Sequence, residues 1–124
     1  MARVAHNEGL LWQVVTRSGT EATGTSVITW VQRAVELGAG EILLTSWDRD
    51  GTRSGYDIEL LQAVCDSVRV PVIASGGAAN VAHLVEALAA GASAVLVASM
   101  LHDGDTTPDD IKRALRAKNC EVRL

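Results

Sequence analysis

Two adjacent glycines, Gly76 and Gly77, follow the short apolar run Val72 to Ala74 and Ser75. Glycine adds no side chain to a core and costs conformational entropy, so a glycine pair indicates close approach to the backbone. Bare backbone N–H groups beside the start of a helix near Asn80 would bind an anion, with phosphate the natural candidate. The alternative is that the pair only makes a tight turn between a strand and a helix.

Serine closes three apolar runs in the same way, as Thr45-Ser46, Ala74-Ser75 and Ala98-Ser99. Ligands of parallel βα folds lie beyond the carboxyl ends of the strands, where loops and helix N-termini converge. We therefore predict that these three run ends lie at one ligand site.

A polar loop, residues 47–57, follows the first of these run ends and contains Asp48, Asp50, Gly51 and Gly55. Asp-x-Asp-Gly is typical of a turn in which aspartate bonds its own backbone. Two carboxylates can also transfer protons if their surroundings tune the pKa values, so both interpretations stay open. Three positively charged side chains could reach a phosphate: Arg17, Arg49 and Arg53. The alternative, and the commoner case, is that they are solvated surface arginines.

The elements that would position this site follow from the apolar periodicity. Apolar residues at steps of three and four predict four helices, with capping residues and glycines at their ends. Continuous apolar runs between the helices predict strands buried on both faces, as in parallel sheets. The order is four βα units with a possible hairpin at the start. The helices are predicted over 27–35, 58–68, 80–91 and from Thr107-Pro108 onward, and the strands over 10–15, 42–44, 72–74 and 95–97.

An internal repeat supports this order. The segment GAGEILLTS at 38–46 aligns without gaps on GASAVLVAS at 91–99, two βα units further along the chain. The alternative is that any junction from helix to strand favours Gly-Ala and any buried strand favours Val and Leu. That alternative does not account for the serine that ends both copies.

The composition argues against several classes of function. Of the 124 residues, 48% are hydrophobic and 21% charged, and the formal net charge of −4 gives no basic surplus for nucleic acid or an anionic membrane. No stretch has the pattern of a signal peptide or a membrane span, so we expect a cytoplasmic protein. The two cysteines and three histidines share no ligand spacing. We therefore expect no disulfide, no metal and no cofactor.

Three segments carry a family resemblance: GAGEILLTSWDRDGTRSGYD, VPVIASGGA and GASAVLVAS. They closely resemble the second half of the cyclase subunit of imidazole glycerol phosphate synthase, an enzyme of histidine biosynthesis with a (βα)8 barrel. The sister isomerase of that pathway has similar motifs, but TSWDRDGT followed by GYD is more similar to the cyclase. The resemblance covers nearly the whole chain, and a complete barrel needs roughly 250 residues. We predict an α/β fold, a (βα)4 half-barrel with parallel strands and outer helices, as one domain over 1–124.

The resemblance also implies a site and partners. The family's substrate carries a phosphate at each end, and the residues implied for one of these phosphates are Asp50, Gly51, Gly77, Ala98 and Ser99. The predicted ligand is a phosphorylated small molecule or inorganic phosphate. In the family, ammonia comes from a glutaminase subunit docked at the opposite face of the barrel, which makes such a subunit a possible partner.

The chain departs from the family at the catalytic residues. The resemblance implies two catalytic aspartates, one in the first half of the barrel and one where Met1 stands here. We therefore expect the chain alone to be inactive, with its catalytic residues unknown. The alternative is a working cyclase component, completed by an N-terminal half and the glutaminase.

The loss of half a barrel also predicts association. Open strand edges and an uncovered apolar face favour a homo-oligomer, a dimer or an even multiple. One hypothesis is that Leu10 to Thr16 takes the vacant strand position and completes the half-barrel.

Overall fold

The computed structural model describes residues 3–7 and 11–123, which form one sheet covered by helices. The sheet order is β3-β2-β1-β4-β5-β6. Its strands are β1 (Arg3–Asn7), β2 (Leu11–Thr16), β3 (Glu21–Ser26), β4 (Ile42–Ser46), β5 (Val72–Ser75) and β6 (Ala94–Val95). The helices are α1 (Val27–Glu36), α2 (Ile58–Ser67), α3 (Val81–Ala89), α4 (Ser99–His102) and α5 (Pro108–Ala117).

The parallel part of the sheet consists of β1, β4, β5 and β6, and a helix follows each of these strands before the next begins. Strands β2 and β3 add an antiparallel hairpin between β1 and α1. Four parallel βα units correspond to half of the eight units of a complete barrel. The predicted (βα)4 half-barrel and the hairpin at its start are confirmed.

The hypothesis for the vacant strand position was wrong. β1, not the segment from 10 to 16, lies parallel to β4, with Arg3 opposite Thr45. The segment Leu11–Thr16 instead pairs antiparallel with β1, and residue 10 lies outside the described residues. The reason is geometric, because a chain that reverses direction within a few residues of β1 can only return antiparallel to it.

The helix boundaries agree with the predictions because the capping chemistry is local. The side chains of Asp57, Asn80 and Thr107 each accept a hydrogen bond from a backbone N–H in the first turn of α2, α3 and α5. Two features differ from the prediction. The last strand stops at Val95, and the short helix α4 begins at Ser99, so the third predicted strand end is a helix start. In the described part of the chain, no helix is long and apolar enough to cross a membrane.

The core lies on one side of the sheet, between the strands and the helices. Along β5, Val72 and Ala74 are buried and join the helix residues of the core, whereas Ile73 between them is only half-buried. Ile73 pairs with Ala94 of β6, which is exposed, and Leu96 beyond it is 43% exposed. The face that would line the inside of a complete barrel is therefore open and apolar. We call it the open face.

Candidate functional site

The loop after β4, residues 47–57, folds over the carboxyl end of β5 and explains the glycine pair. Gly76 and Gly77 have φ of +97° and +104°, a region that favours glycine. A Cβ on Gly77 would lie 2.2 Å from the carbonyl oxygen of Gly55, and one on Gly76 would lie 2.9 Å from that of Ser46. The Gly55 N–H also donates to the Gly77 carbonyl at 2.8 Å. The backbone that approaches the glycines is thus the chain's own loop.

This packing changes what a substitution at Gly77 would test. A bulky residue at position 77 would test phosphate binding only if the fold stayed intact. Any side chain there meets the backbone of Gly55 and of Arg49, the latter at 3.0 Å, so the loop must move. Loss of binding by such a variant would therefore not separate a lost contact from a displaced loop.

A cavity of about 120 Å³ opens beside this junction, at the carboxyl ends of β5 and β6. Three segments line it: the loop after β4, the glycine turn after β5 and the chain that leads into α4. Its lining residues are Asp50, Gly51, Ser75, Gly76, Gly77, Ala78, Leu96, Val97, Ala98 and Ser99. All five residues predicted for phosphate binding are in this set, although they come from positions up to 49 residues apart in the sequence.

The cavity lining offers backbone N–H groups from each segment. Within residues 11–123, Gly77 uses its carbonyl in a hydrogen bond but not its N–H. Ser99 is the first residue of α4, so its N–H has no acceptor within that helix. Asp50 differs, because its N–H already donates to the Ser46 carbonyl at 2.9 Å. A volume of this size exceeds what one water needs and accommodates a small oxyanion.

The start of α3, the helix after the glycines, offers fewer N–H donors to an anion than the sequence predicts. Two N–H groups at the start of α3 are bonded within the helix start itself. His83 N–H donates to the side-chain oxygen of Asn80, and Ala79 N–H donates to Nδ1 of His83, both at 3.1 Å. These donors are therefore not offered to a ligand.

The three arginines considered from the sequence are engaged elsewhere. Arg53 forms ion pairs with Asp103, at 2.6 Å, and with Asp105, and these carboxylates, Asp105 foremost, raise the pKa of the guanidinium. Arg49 donates to the Ser54 carbonyl at 3.3 Å. Arg17 pairs with Glu21 at 3.3 Å on the exposed hairpin. None of the three lines the cavity within the described chain, and Arg53 instead ties the loop after β4 to the loop after α4.

The two aspartates of the Asp-x-Asp-Gly turn lie at the protein surface. The side chains of Asp48 and Asp50 are both exposed. Across the residues that the structure describes, no three His, Cys, Asp or Glu side chains are grouped as a metal site requires. The residues that line the cavity offer hydrogen bonding by backbone N–H and serine hydroxyl groups.

Sequence reasoning missed Tyr56, which holds the cavity wall in place. Its ring is buried, 4% exposed, and its hydroxyl donates to the Leu96 carbonyl at 2.8 Å, which joins the loop after β4 to the residue that follows β6. Burial raises the pKa of Tyr56 above its ordinary value, because the interior disfavours the phenolate. The signal available in the sequence was that this is the single tyrosine of a chain without phenylalanine.

The raised pKa of Tyr56 predicts a loss of stability at alkaline pH. Above about pH 10, the unfolded chain releases the tyrosine proton while the folded chain retains it. The unfolded state is therefore stabilised relative to the folded state. The free energy of unfolding is expected to fall by up to about 1.4 kcal/mol per pH unit above that point. Urea unfolding of the wild type and of Tyr56→Phe, repeated at a series of pH values around and above this point, measures the change in the free energy of unfolding. A phenylalanine variant with the same pH dependence as the wild type would contradict the prediction.

Comparison with known proteins agrees with the resemblance seen in the motifs. A family model described as "Histidine biosynthesis protein" matches residues 2–107. The imidazole glycerol phosphate synthase subunit HisF of Pyrobaculum aerophilum is 53% identical over 116 residues, covering 94% of this chain and 46% of that protein. The HisF subunit of Thermobifida fusca is 54% identical over 112 residues, covering 90% of this chain and 44% of that protein.

A third relative, the HisF subunit of a Synechococcus strain, is 51% identical over 117 residues. The match covers 90% of this chain and 46% of that protein. The chain thus spans less than half the length of these three relatives. The family match extends through the loop after β4, the glycine turn and the start of α4, which together form the cavity. The chain therefore belongs to the histidine biosynthesis protein family.

Proposed function

We propose that residues 1–124 form a phosphate-binding half-barrel that holds a phosphorylated small molecule, or inorganic phosphate, in the cavity at the ends of β5 and β6. The observation that carries the proposal is that Asp50, Gly51, Gly77, Ala98 and Ser99 line one cavity of about 120 Å³. The donors are the N–H groups of Gly51, Gly77 and Ser99 and the hydroxyl of Ser99. Backbone N–H groups that converge in this way form anion-binding concavities.

Asp50 has a different part in the proposed site. Its carboxylate has the same charge as the ligand, and its N–H is bonded to the Ser46 carbonyl. Asp50 therefore positions the turn that presents the Gly51 N–H and does not donate to the phosphate itself. Gly51 has φ of +77°, which the same turn requires.

Calorimetric titration with inorganic phosphate and with glycerol phosphate tests this proposal. We expect saturable binding of both ligands at one site per chain, weakened by added salt because the interaction is electrostatic. Unphosphorylated glycerol is the matched control and is expected not to bind. Equal heats with glycerol and glycerol phosphate, or no saturable heat with either phosphate, would refute a phosphate site.

The open face supports the second part of the proposal, that the chain associates with itself. Ile73 and Leu96 leave apolar surface without a covering layer, and two half-barrels can close on each other about a twofold axis. Light scattering is expected to give an even multiple of the 13.1 kDa chain mass. Ala94→Asp, on the open face, is expected to give a monomer. The control is Ala82→Asp, on the exposed side of α3, which should leave the oligomeric state unchanged. A monomeric wild type would refute self-association.

From the resemblance, we also propose that this chain alone lacks cyclase activity. A second candidate function is a working cyclase component, completed by a separate N-terminal half and by a glutaminase subunit. The observation in its favour is the length of the relatives, of which this chain covers 44–46%. Complementation with an N-terminal half separates the two candidates.

A further inference from the structure

One arginine joins the two loops that flank the phosphate cavity. Arg53 follows Gly51, a lining residue, by two positions, and its guanidinium pairs with Asp103 at 2.6 Å and with Asp105. Asp103 lies directly after the four-residue helix that begins at Ser99, another lining residue. A helix advances about 1.5 Å per residue, so Asp103 is only about 6 Å beyond Ser99. The guanidinium therefore lies beside the cavity although it does not line it.

The backbone of the loop fixes where the Arg53 side chain leaves it. Arg53 has φ of +58°, in the left-handed region that few residues other than glycine adopt. The preceding turn is held by Thr52, whose hydroxyl and N–H both donate to the Arg49 carbonyl, at 2.7 Å and 3.0 Å. A residue stays in this region only where its surroundings determine the conformation, and such residues cluster at binding sites. The start of the side chain is thus fixed, whereas its outer bonds can rotate.

The two ion pairs of Arg53 lie near water and can exchange. Side-chain exposure is 38% for Arg53, 54% for Asp103 and 46% for Asp105. Ion pairs with this exposure contribute little to stability, because water and salt compete with them. A phosphate presents oxygen atoms to the guanidinium fork in the same paired geometry as a carboxylate. A phosphate in the cavity and the two aspartates would therefore compete for the same N–H donors.

The charges around the cavity make this competition matter. Arg49, the other arginine of the loop after β4, already donates to the carbonyl and the hydroxyl of Ser54. An anion in the cavity therefore faces an excess of negative charge, which lowers its affinity unless a cation turns toward it. Over residues 47–57 and 98–107, the aspartates are Asp48, Asp50, Asp57, Asp103 and Asp105, against the arginines Arg49 and Arg53.

We propose that Arg53 is a further phosphate contact of this site and that Asp103 and Asp105 restrain it, so that neutralising these two carboxylates turns the guanidinium onto the ligand. The inference rests on the proposed phosphate site and adds the group that regulates its affinity. An apparent affinity falls in proportion to the fraction of molecules in the binding-competent state. In the wild type both aspartates engage the guanidinium, so phosphate binds mainly through the backbone N–H groups.

The double variant Asp103→Asn, Asp105→Asn tests the restraint in the intact chain. Asparagine has nearly the size of aspartate but cannot form an ion pair with Arg53. Calorimetric titration with inorganic phosphate at low ionic strength is expected to show binding at least about tenfold tighter than in the wild type. Each single variant should give part of this gain, and circular dichroism shows whether the proteins are folded.

A control variant removes the same number of negative charges elsewhere. Asp66→Asn with Glu86→Gln changes two exposed side chains in the carboxyl-terminal halves of α2 and α3. Its phosphate affinity is expected to stay within about twofold of the wild type, because distant exposed charges are screened.

Arg53→Met, added to the double variant, separates a contact of Arg53 from simple relief of repulsion. We expect it to remove most of the gain. The Nε–H resonance of Arg53, identified by its loss in Arg53→Met, supplies a readout besides affinity. Phosphate should shift this resonance in the double variant and leave it nearly unchanged in the wild type.

The outcomes distinguish this inference from the proposed function. Saturable phosphate binding by the wild type without a gain in the double variant would overturn the inference and leave the phosphate site in place. Weaker binding by the double variant would also overturn it, because the ion pairs would then brace the cavity walls. A gain that survives Arg53→Met would assign the effect to carboxylate repulsion alone and overturn it too. No saturable binding by either protein would refute the phosphate site, and the inference with it.

Discussion

Ser99→Asp is expected to weaken phosphate binding by at least about 100-fold, equivalent to about 2.7 kcal/mol. Ser99 lines the cavity and begins α4. An aspartate at this position would place a negative charge within a few ångströms of the ligand, where like charges repel by about 4 kcal/mol at an effective dielectric constant near 20. Calorimetric titration with inorganic phosphate measures the change.

The matched control for this variant is Ser93→Asp, the same substitution at an exposed serine just before β6. It changes the net charge of the chain by the same amount but lies at the other end of the strand. Its phosphate affinity is expected to stay within about twofold of the wild type, since a distant exposed charge is screened. Equal losses in the two variants would mean that net charge, and not the cavity, governs binding.

Ammonia-dependent cyclase turnover by the purified 124-residue chain is expected to be absent. General acid and base groups each contribute roughly 10²–10⁴ to a rate, so loss of the two aspartates that the resemblance implies would lower the rate by several orders of magnitude. We do not expect Asp48 and Asp50 to replace them, because they are not the principal catalytic pair that the resemblance implies. A continuous assay for the imidazole product, with ammonia in excess, measures the rate.

Addition of a recombinant N-terminal half of the Thermobifida fusca subunit extends this experiment. That half would supply the first-strand aspartate, but position 1 here is Met1. We expect no turnover from the mixture, and turnover once Asp replaces Met1 behind an added initiator methionine. Turnover from the mixture that contains the Asp variant would show that the two halves assemble. Turnover from the unmodified mixture would favour the working-component function over the phosphate-binding half-barrel.

Much of the fold could be predicted because the signals that specify it are local. The N-caps Asp57, Asn80 and Thr107 and the apolar stripes of the helices lie within a few residues of the structure they determine. The prediction that strand ends meet follows from the general geometry of parallel βα units, which brings Gly51, Gly77 and Ser99 to one cavity. Whether that cavity binds phosphate stays a prediction.

The features that could not be predicted depend on contacts between distant parts of the chain. The bond from Tyr56 to Leu96 joins residues 40 apart, and neither residue alone indicates the other. Gly77 suggested a ligand, although its bare backbone is also required by the Gly55 carbonyl. The place of β1 beside β4 was assigned to the more apolar segment Leu11–Thr16, because Arg3–Asn7 has few apolar residues and only the strand pairing shows that it lies there.

The measurement that tests the central claim most directly is a phosphate titration followed by amide chemical shifts in ¹⁵N-labelled protein. The account predicts saturable shifts for the N–H groups of Gly51, Gly77 and Ser99, with one common dissociation constant. Gly38 and Gly91, which lie in the turns before β4 and β6, should not shift. Shifts confined to residues outside the cavity, or none that saturate, would contradict a phosphate site at the ends of β5 and β6.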